Sequence, residues 1–224
     1  IGEIVLVVVG ILIALQMNNW NEQRKERISE AVFLSRIRQD LIVDNSYFKK
    51  RIDDSEQYIN ASNAFYTTLT ENQESFEDAM QLAEGFTKFY SSESLTTQNS
   101  TFSEMLYAGK LELITDAALK SQLLDYYRRN EEVAKHIAEF NAFSADALNM
   151  MANKATNFFT PGIYPKRFSF EDEYGYLNDA SSDKVQFIVY TATVYEAKHD
   201  VFLGYFRELE GLSADLINKL EGVE

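Results

Sequence analysis

Two histidines and one acidic run are the residues whose chemistry could make a site. His136 and His199 are the only histidines, and neither belongs to a His-Glu-x-x-His motif, with which a helix holds zinc. Glu171-Asp172-Glu173 offers carboxylate oxygens for a divalent cation, but it lacks the alternating acids and central glycine of an EF-hand. A solvated acidic turn explains the run better, and we expect no metal or other cofactor.

Motifs of covalent and phosphate chemistry are also missing from the sequence. The chain has no cysteine, which excludes disulfides, thiolate metal sites and a cysteine nucleophile. It contains neither a Gly-rich phosphate loop nor a Gly-x-Ser-x-Gly elbow. We therefore expect a protein that is not an enzyme.

The helices that the sequence predicts must position any site. The chain has only 2 prolines and 9 glycines, which favours long helices. Apolar residues of one stripe recur over about 22–69, and heptad seams recur over about 116–157 and 184–220. Shorter helices are predicted at about 75–90 and 101–108, with Thr101-Phe102-Ser103-Glu104 as a capping box, Gly109 as a stop and Thr115 or Asp116 as the next cap. An aromatic loop at about 158–182 holds both prolines. The pattern predicts an antiparallel bundle of three long and two shorter helices.

Four polar residues interrupt these stripes. Asn45 lies on the first stripe, Asn130 on the second, and His199 and Ser213 on the third. Buried polar groups must find partners, and they often fix the register of neighbouring helices. The alternative is a small polar pocket inside the bundle, built from Asn45, Asn130 and His199.

The first helix begins with a run that suits a lipid bilayer. No charged residue occurs from Ile4 to Asn21, and these 18 helical residues span about 27 Å, close to the thickness of the hydrocarbon core. We expect a transmembrane anchor over 1–21 and a soluble helical domain over 22–224. Gly10 and Ala14 form a small-xxx-small pair for helix packing, and Glu3 either has a partner or lies at the headgroups.

Charge is unevenly distributed around this anchor. The net charge is −14, with +3 over residues 18–51 and −16 over residues 52–224. Such acidity repels nucleic acid, so we expect no nucleic-acid partner. The partners we expect are the lipid bilayer and, in addition, either a second copy of the chain or another membrane or envelope protein.

The chain resembles an uncharacterised family of single-pass membrane proteins from Bacteroidota. The resemblance rests on the run from Ile1 to Glu22, IGEIVLVVVGILIALQMNNWNE, and more loosely on Gly109–Ile114 and Leu123–Tyr127. It carries no activity, but it implies a basic cytoplasmic leader upstream of Ile1. Arg24, Lys25 and Arg27, taken alone, place the opposite side in the cytoplasm. Following the resemblance, we expect an inner-membrane protein with a periplasmic domain.

Two functions fit these features. The first is a membrane-anchored, non-enzymatic helical protein of the bacterial cell envelope that assembles with itself or with another membrane protein. The second is an extracytoplasmic sensor or small-ligand-binding domain, which would need an apolar pocket with converging polar groups.

Overall fold

The computed structural model describes residues 2–71, 76–155, 158 and 174–222, and the side chains of 2–5, 76, 77 and 174 are not among them. The described residues form helices and no strand, so the predicted all-α class is confirmed. The helices are α1 (Gly2–Leu69), α2 (Phe76–Thr87), α3 (Ser100–Tyr107), α4 (Ala117–Lys154) and α5 (Asp183–Leu220), with 3₁₀ turns at Lys110–Leu113 and Tyr174–Asn178.

Helix α1 is continuous over 68 residues. No proline occurs in it, so no residue removes a backbone donor from the helical ladder. The apolar N-terminal run and the first bundle helix are therefore one helix. No break in α1 marks the predicted domain boundary after Asn21.

Two helix ends follow the predicted local signals, and one predicted signal is wrong. Asp116 caps α4, because its carboxylate accepts from the backbone N–H of Ala118 at 2.8 Å and of Leu119 at 3.0 Å. Gly109 follows the end of α3 with φ of 67°, a left-handed conformation that favours glycine. The predicted capping box is wrong: α3 begins at Ser100, and Thr101 lies buried inside the helix instead of capping it.

The chain folds as two compact units. Unit 1 comprises Ile1–Asn45, Thr97–Arg128 and Gly211–Glu224, and unit 2 comprises Ser46–Thr96 and Arg129–Glu210. In each unit the seams of α4 and α5 supply part of the core, together with buried residues of α1. Every position of the predicted α5 seam is buried, as is every position of the α4 seam except Phe140.

The predicted stripe of α1 holds through unit 1 and as far as Phe48 in unit 2, and it shifts beyond that residue. Its positions are Leu34, Ile37, Leu41, Phe48, Ile52, Ile59 and Tyr66. Leu34, Ile37 and Leu41 are buried as predicted, whereas Ile52, Ile59 and Tyr66 are only half-buried. In their place α1 buries the neighbouring face, which carries Ser55, Ser62 and Phe65. The Phe65 ring packs at 5.7 Å from Phe86 and 5.5 Å from Phe89. Edge-to-face aromatic packing thus sets which face of α1 turns inward.

The predicted antiparallel arrangement is only partly correct. In unit 1, Glu30 contacts Thr115 and Asp44 contacts Tyr126, so α1 and α4 run parallel. The chain returns between them through α2, an extended segment and α3. Helix α5 runs antiparallel to α1 in unit 1, where Arg38 contacts Glu221 and Asn45 contacts Ser213.

In unit 2, α5 is antiparallel to both of its long neighbours. Tyr66 contacts Thr193 while Glu56 contacts Arg207, and Ala147 contacts Thr191 while Arg129 contacts Glu208. The predicted aromatic loop lies for the most part outside the described residues. So does the acidic run Glu171-Asp172-Glu173.

Candidate functional site

The N-terminal part of α1 presents apolar side chains on all of its faces. Every residue from Leu6 to Ile28 is exposed. We call residues 6–20 the apolar segment, and its large exposed side chains are Leu6, Val7, Val8, Val9, Ile11, Leu12, Ile13, Leu15, Met17 and Trp20. A helix that is apolar all round is ordinarily covered by a protein core or by lipid. The described chain supplies no such cover.

The predicted packing residues of this segment are open to a partner. A Cβ atom added to Gly10 would meet nothing within 4 Å, and Ala14 is exposed. Another helix could therefore approach the backbone closely here. The side chain of Glu3 lies outside the described residues.

The transmembrane anchor predicted over 1–21 is not confirmed. Among the described residues, no helix combines the length and the apolar character that a membrane crossing needs. The side chains of Ile1–Val5, which belong to the predicted anchor, are outside the described part.

Unit 1 contains a buried carboxylate on α1. Asp44 is 1% exposed, and it accepts a hydrogen bond from Tyr126 Oη at 2.7 Å and one from the Gln98 backbone N–H at 2.7 Å. Burial raises the pKa of Asp44 to about 6, although both hydrogen bonds act in the opposite direction. Its neighbour on α1, Asn45, donates to Ser213 Oγ at 3.0 Å, which joins two of the polar residues on the predicted stripes.

Unit 2 holds two buried bases on consecutive positions of α5. Lys198 and His199 are fully buried, and both donate to a segment without helix or strand, residues 89–94, that we call the strap. Four side chains in all donate to its carbonyl oxygens: His199 Nε2 to Phe89, Lys198 Nζ to Ser91, Asn141 Nδ2 to Glu93 and Tyr47 Oη to Ser94. These bonds replace the ladder that a strand would have and fix the strap to the helices.

His199 is neutral and its tautomer follows from its contact. The 2.8 Å bond to the Phe89 carbonyl requires a proton on Nε2, which leaves the Nδ1 lone pair without a hydrogen-bond partner. The Tyr58 ring lies 4.6 Å from the imidazole. Burial, with a smaller effect of the positive charges of Lys198 and Arg51, lowers the pKa of His199 to about 4, although the hydrogen bond to Phe89 acts in the opposite direction.

The three predicted pocket residues are each buried, but they belong to different units. Asn45 lies in unit 1, whereas Asn130 and His199 lie in unit 2. A shared pocket stays a prediction. No cluster of three or more His, Asp or Glu side chains that could hold a metal occurs in the described part of the chain.

Three surface cavities lie away from these residues. One of about 580 Å³ in unit 2 is lined by Tyr66, Leu69, Leu177 and Val189 among others. Two in unit 1, of about 380 and 480 Å³, meet at Leu34. None of the three is lined by the buried polar groups described above.

Sequence reasoning missed the charged members of both cores. Lys198 lies seven residues after Thr191, which is also fully buried, so a second track of α5 faces inward beside the predicted seam. Flanking aromatics at Tyr195 and Phe202 were the available signal. Asp44 gave no such signal, because a single acid beside Asn45 is ordinary on a solvated helix face.

Residues 3–163 match the model of a family of unknown function, DUF6090. The chain belongs to this family. The match extends over more than two thirds of the 224 residues, well beyond the motifs on which the resemblance rested. No curated protein matches the chain, and no solved structure does. Membership of DUF6090 brings no activity with it.

Proposed function

We propose that this DUF6090 protein is a non-enzymatic assembly protein of the bacterial cell envelope, held to the inner membrane by the apolar segment of α1. The observation that carries the proposal is the all-round exposure of that segment. One helix of a partner protein would cover a single face. A lipid bilayer covers all faces at once, so the distribution of exposed side chains favours lipid over a single protein groove.

The residues around the segment fit an interface between lipid and water. Trp20, an amphipathic ring, ends the segment and is 65% exposed. Arg24 and Lys25 follow within two turns, where they can reach lipid phosphates, whereas Arg27 hydrogen-bonds to Glu30 and Thr115. We propose that lipid buries the apolar segment. A helix that crosses the whole bilayer would include the residues before Leu6 as well.

The second half of the proposal is self-association or assembly with another envelope protein. Its supports are the small side chains at Gly10 and Ala14 and the open space beside Gly10. In lipid, helices associate through close backbone approach because apolar burial is already complete. We place the helical domain in the periplasm, which follows from the resemblance rather than from Arg24, Lys25 and Arg27.

Vesicle flotation tests the lipid contact. The full chain, purified in mild detergent and mixed with phospholipid vesicles, should float with them. Ile11→Arg should lower the vesicle-bound to free ratio by about 100-fold, since an arginine at the centre of a buried helix costs about 2.5–3.5 kcal/mol.

The matched control for this experiment is Ile28→Arg. Ile11 and Ile28 are the same residue type on the same helix, and each is 55% exposed. The Ile28 variant should bind vesicles as the wild type does. Equal binding by the wild type and the Ile11 variant, or a wild type that stays unbound, would contradict the lipid contact.

Crosslinking in native membranes tests assembly. The wild type should yield crosslinked dimers or a crosslink to another envelope protein, and Gly10→Leu should reduce that product several-fold because the side chain holds the helices apart. Gly211→Leu is the control, since Gly211 is also exposed on a helix with nothing near its Cβ position. Recovery of monomer alone from the wild type would refute assembly.

A further inference from the structure

One cavity of unit 1 lies close to the apolar segment along α1. It measures about 480 Å³, and α1, α4 and α5 all line it, with Arg27, Leu119 and Lys219 among the residues. Trp20, Arg27 and Leu34 are seven residues apart on the continuous helix α1, so they lie within about 40° of one another around it. Arg27 follows Trp20 by about 10 Å along the axis. One face of α1 therefore leads from the apolar segment into the cavity.

The charged side chains that line this cavity sum to zero, but two of them have no ionic partner. Arg27 pairs with Glu30 at 3.1 Å. Lys219 donates to a neutral group, Gln122 Oε1, at 2.8 Å, and no carboxylate of the described residues lies within 4.0 Å of its ammonium. Asp116 caps α4 through backbone N–H groups and forms no ion pair with a described residue. One positive and one negative charge thus line the same cavity unpaired.

The spacing of these two charges suits a zwitterion. Asp116 and Gln122, which holds Lys219, are six residues apart, so about 9 Å separates them along the axis of α4. A phosphate and an ammonium joined by two carbon atoms, with a hydrogen bond of about 3 Å at each end, span a comparable distance. Such a group would give each unpaired charge a charge-assisted hydrogen bond. The buried side chains of Leu34 and Leu119 add apolar lining to the same cavity.

We propose that this cavity binds the headgroup of an aminophospholipid, with the phosphate on Lys219 and the ammonium on Asp116. The inference rests on the proposed lipid contact of the apolar segment, because that contact brings the cavity to the surface of the bilayer. The acyl chains follow the face of α1 that leads to Trp20. Phosphatidylglycerol would give Lys219 a partner but would be repelled by Asp116. Phosphatidylcholine carries both charges, but its quaternary ammonium has no N–H to donate to the carboxylate.

Binding of short-chain lipids to the full chain in mild detergent tests the headgroup preference. Dihexanoyl phosphatidylethanolamine is titrated by calorimetry, beside phosphatidylcholine and phosphatidylglycerol with the same acyl chains. The ethanolamine lipid should bind about tenfold more tightly than either of the others, because it alone satisfies both Lys219 and Asp116. Equal affinity for the three lipids would overturn the proposal.

Two variants that each remove one charge test the site itself. Lys219→Met should lower the affinity for the ethanolamine lipid about tenfold. Asp116→Asn should abolish the preference over phosphatidylglycerol, while its amide oxygen still caps α4. Lys25→Met and Asp125→Asn are the controls and should bind as the wild type does, because both residues are exposed in unit 1 and neither lines the cavity. Wild-type affinity and preference in both site variants would refute the assignment.

Two further measurements separate this inference from its alternatives. Glycerophosphoethanolamine, the same headgroup without acyl chains, should bind at least about tenfold more weakly than the lipid, because it buries no apolar chain. Equal binding would mean that the ligand is a soluble molecule and would contradict the lipid assignment. A chain that floats with phosphatidylcholine vesicles but shows no preference for the ethanolamine lipid would refute the headgroup site and leave the proposed function standing. A chain that floats with no vesicle would contradict both.

Discussion

Two stretches of helix α1 have opposite surroundings although they belong to one continuous helix. Over residues 6–28 every side chain is exposed, whatever its polarity. Over residues 30–45 one face is buried against α4 and α5, with Ile37 and Leu41 fully covered, and the opposite face is exposed. Apolar residues lie on all sides of the apolar segment, residues 6–20, whereas they form a single stripe along residues 30–45.

This difference shows which stretch of α1 is covered by other helices of the described chain. A stripe needs one or two neighbouring helices, and unit 1 supplies them. An apolar cylinder needs cover on every side, and the described chain supplies none. The central stretch is therefore explained by internal packing, whereas no part of the described chain covers the apolar segment.

Truncating one leucine in each stretch should give the largest contrast. Leu41→Ala should lower the free energy of unfolding by about 2–5 kcal/mol, because Leu41 is fully buried. Leu12→Ala, at 57% exposed, should change it by less than about 0.5 kcal/mol in the absence of lipid. Urea unfolding followed by circular dichroism measures both. Similar losses would mean that the apolar segment packs against the chain after all.

A fall in pH should lower the free energy of unfolding of the packed core and leave vesicle binding by the apolar segment unchanged. The folded-state pKa of His199 is about 4, against 6.5 for the ordinary side chain, so the unfolded chain binds the proton first as pH falls. The stability due to neutral His199 is complete above pH 6.5 and is lost between pH 6.5 and 4, on the order of 3 kcal/mol. His199→Gln keeps a donor for the Phe89 carbonyl and should remove this loss.

The control for that measurement is His136→Gln, because His136 is half-buried and bonds to Tyr205 Oη at 3.1 Å.

Vesicle binding allows the apolar segment to be compared with the packed core at the same pH values. No charged residue occurs between Ile4 and Asn21, so flotation should not change over the same pH range. Loss of stability that persists in the His199 variant would assign the acid sensitivity to another group.

Asp44 should give a smaller effect of opposite sign. Its folded-state pKa is about 6, above the ordinary 3.8, so the folded protein binds the proton first as pH falls. The buried charge therefore lowers stability as pH rises from 3.8 to 6, by about 2–3 kcal/mol. Asp44→Asn should remove this dependence, and the exposed Asp53→Asn should not. An unchanged pH profile in the Asp44 variant would refute the shifted titration.

Periodicity predicted the helices and most of the core because both depend on local spacing. The α5 seam from Val185 to Leu220 is buried throughout, and Asp116 caps α4. The parallel direction of α1 and α4 could not be read in the same way, since it depends on how residues 70–116 return. The face of α1 that turns inward in unit 2 depends on Phe65 meeting Phe86 and Phe89, which no local pattern encodes.

The candidate sites also differ in whether local sequence patterns could predict them. The apolar segment could be predicted, because a charge-free apolar run is visible in the sequence. The buried Lys198 could not, because its burial depends on the strap, and the strap has neither helical nor strand periodicity. Asn45 and Ser213 were each predicted on a stripe, but their 3.0 Å bond depends on the register of α1 against α5.

Trp20 allows the most direct test of the proposed contact with lipid. It is the only tryptophan of the chain, it ends the apolar segment, and it is 65% exposed. Its fluorescence therefore reports this one position when phospholipid vesicles are added to the full chain. If the segment is buried in lipid, the emission should shift to shorter wavelength, brominated lipids should quench it, and iodide in the water should not reach the indole. Emission that stays at the position of a hydrated indole, with full access to iodide and no quenching by brominated lipid, would contradict that burial.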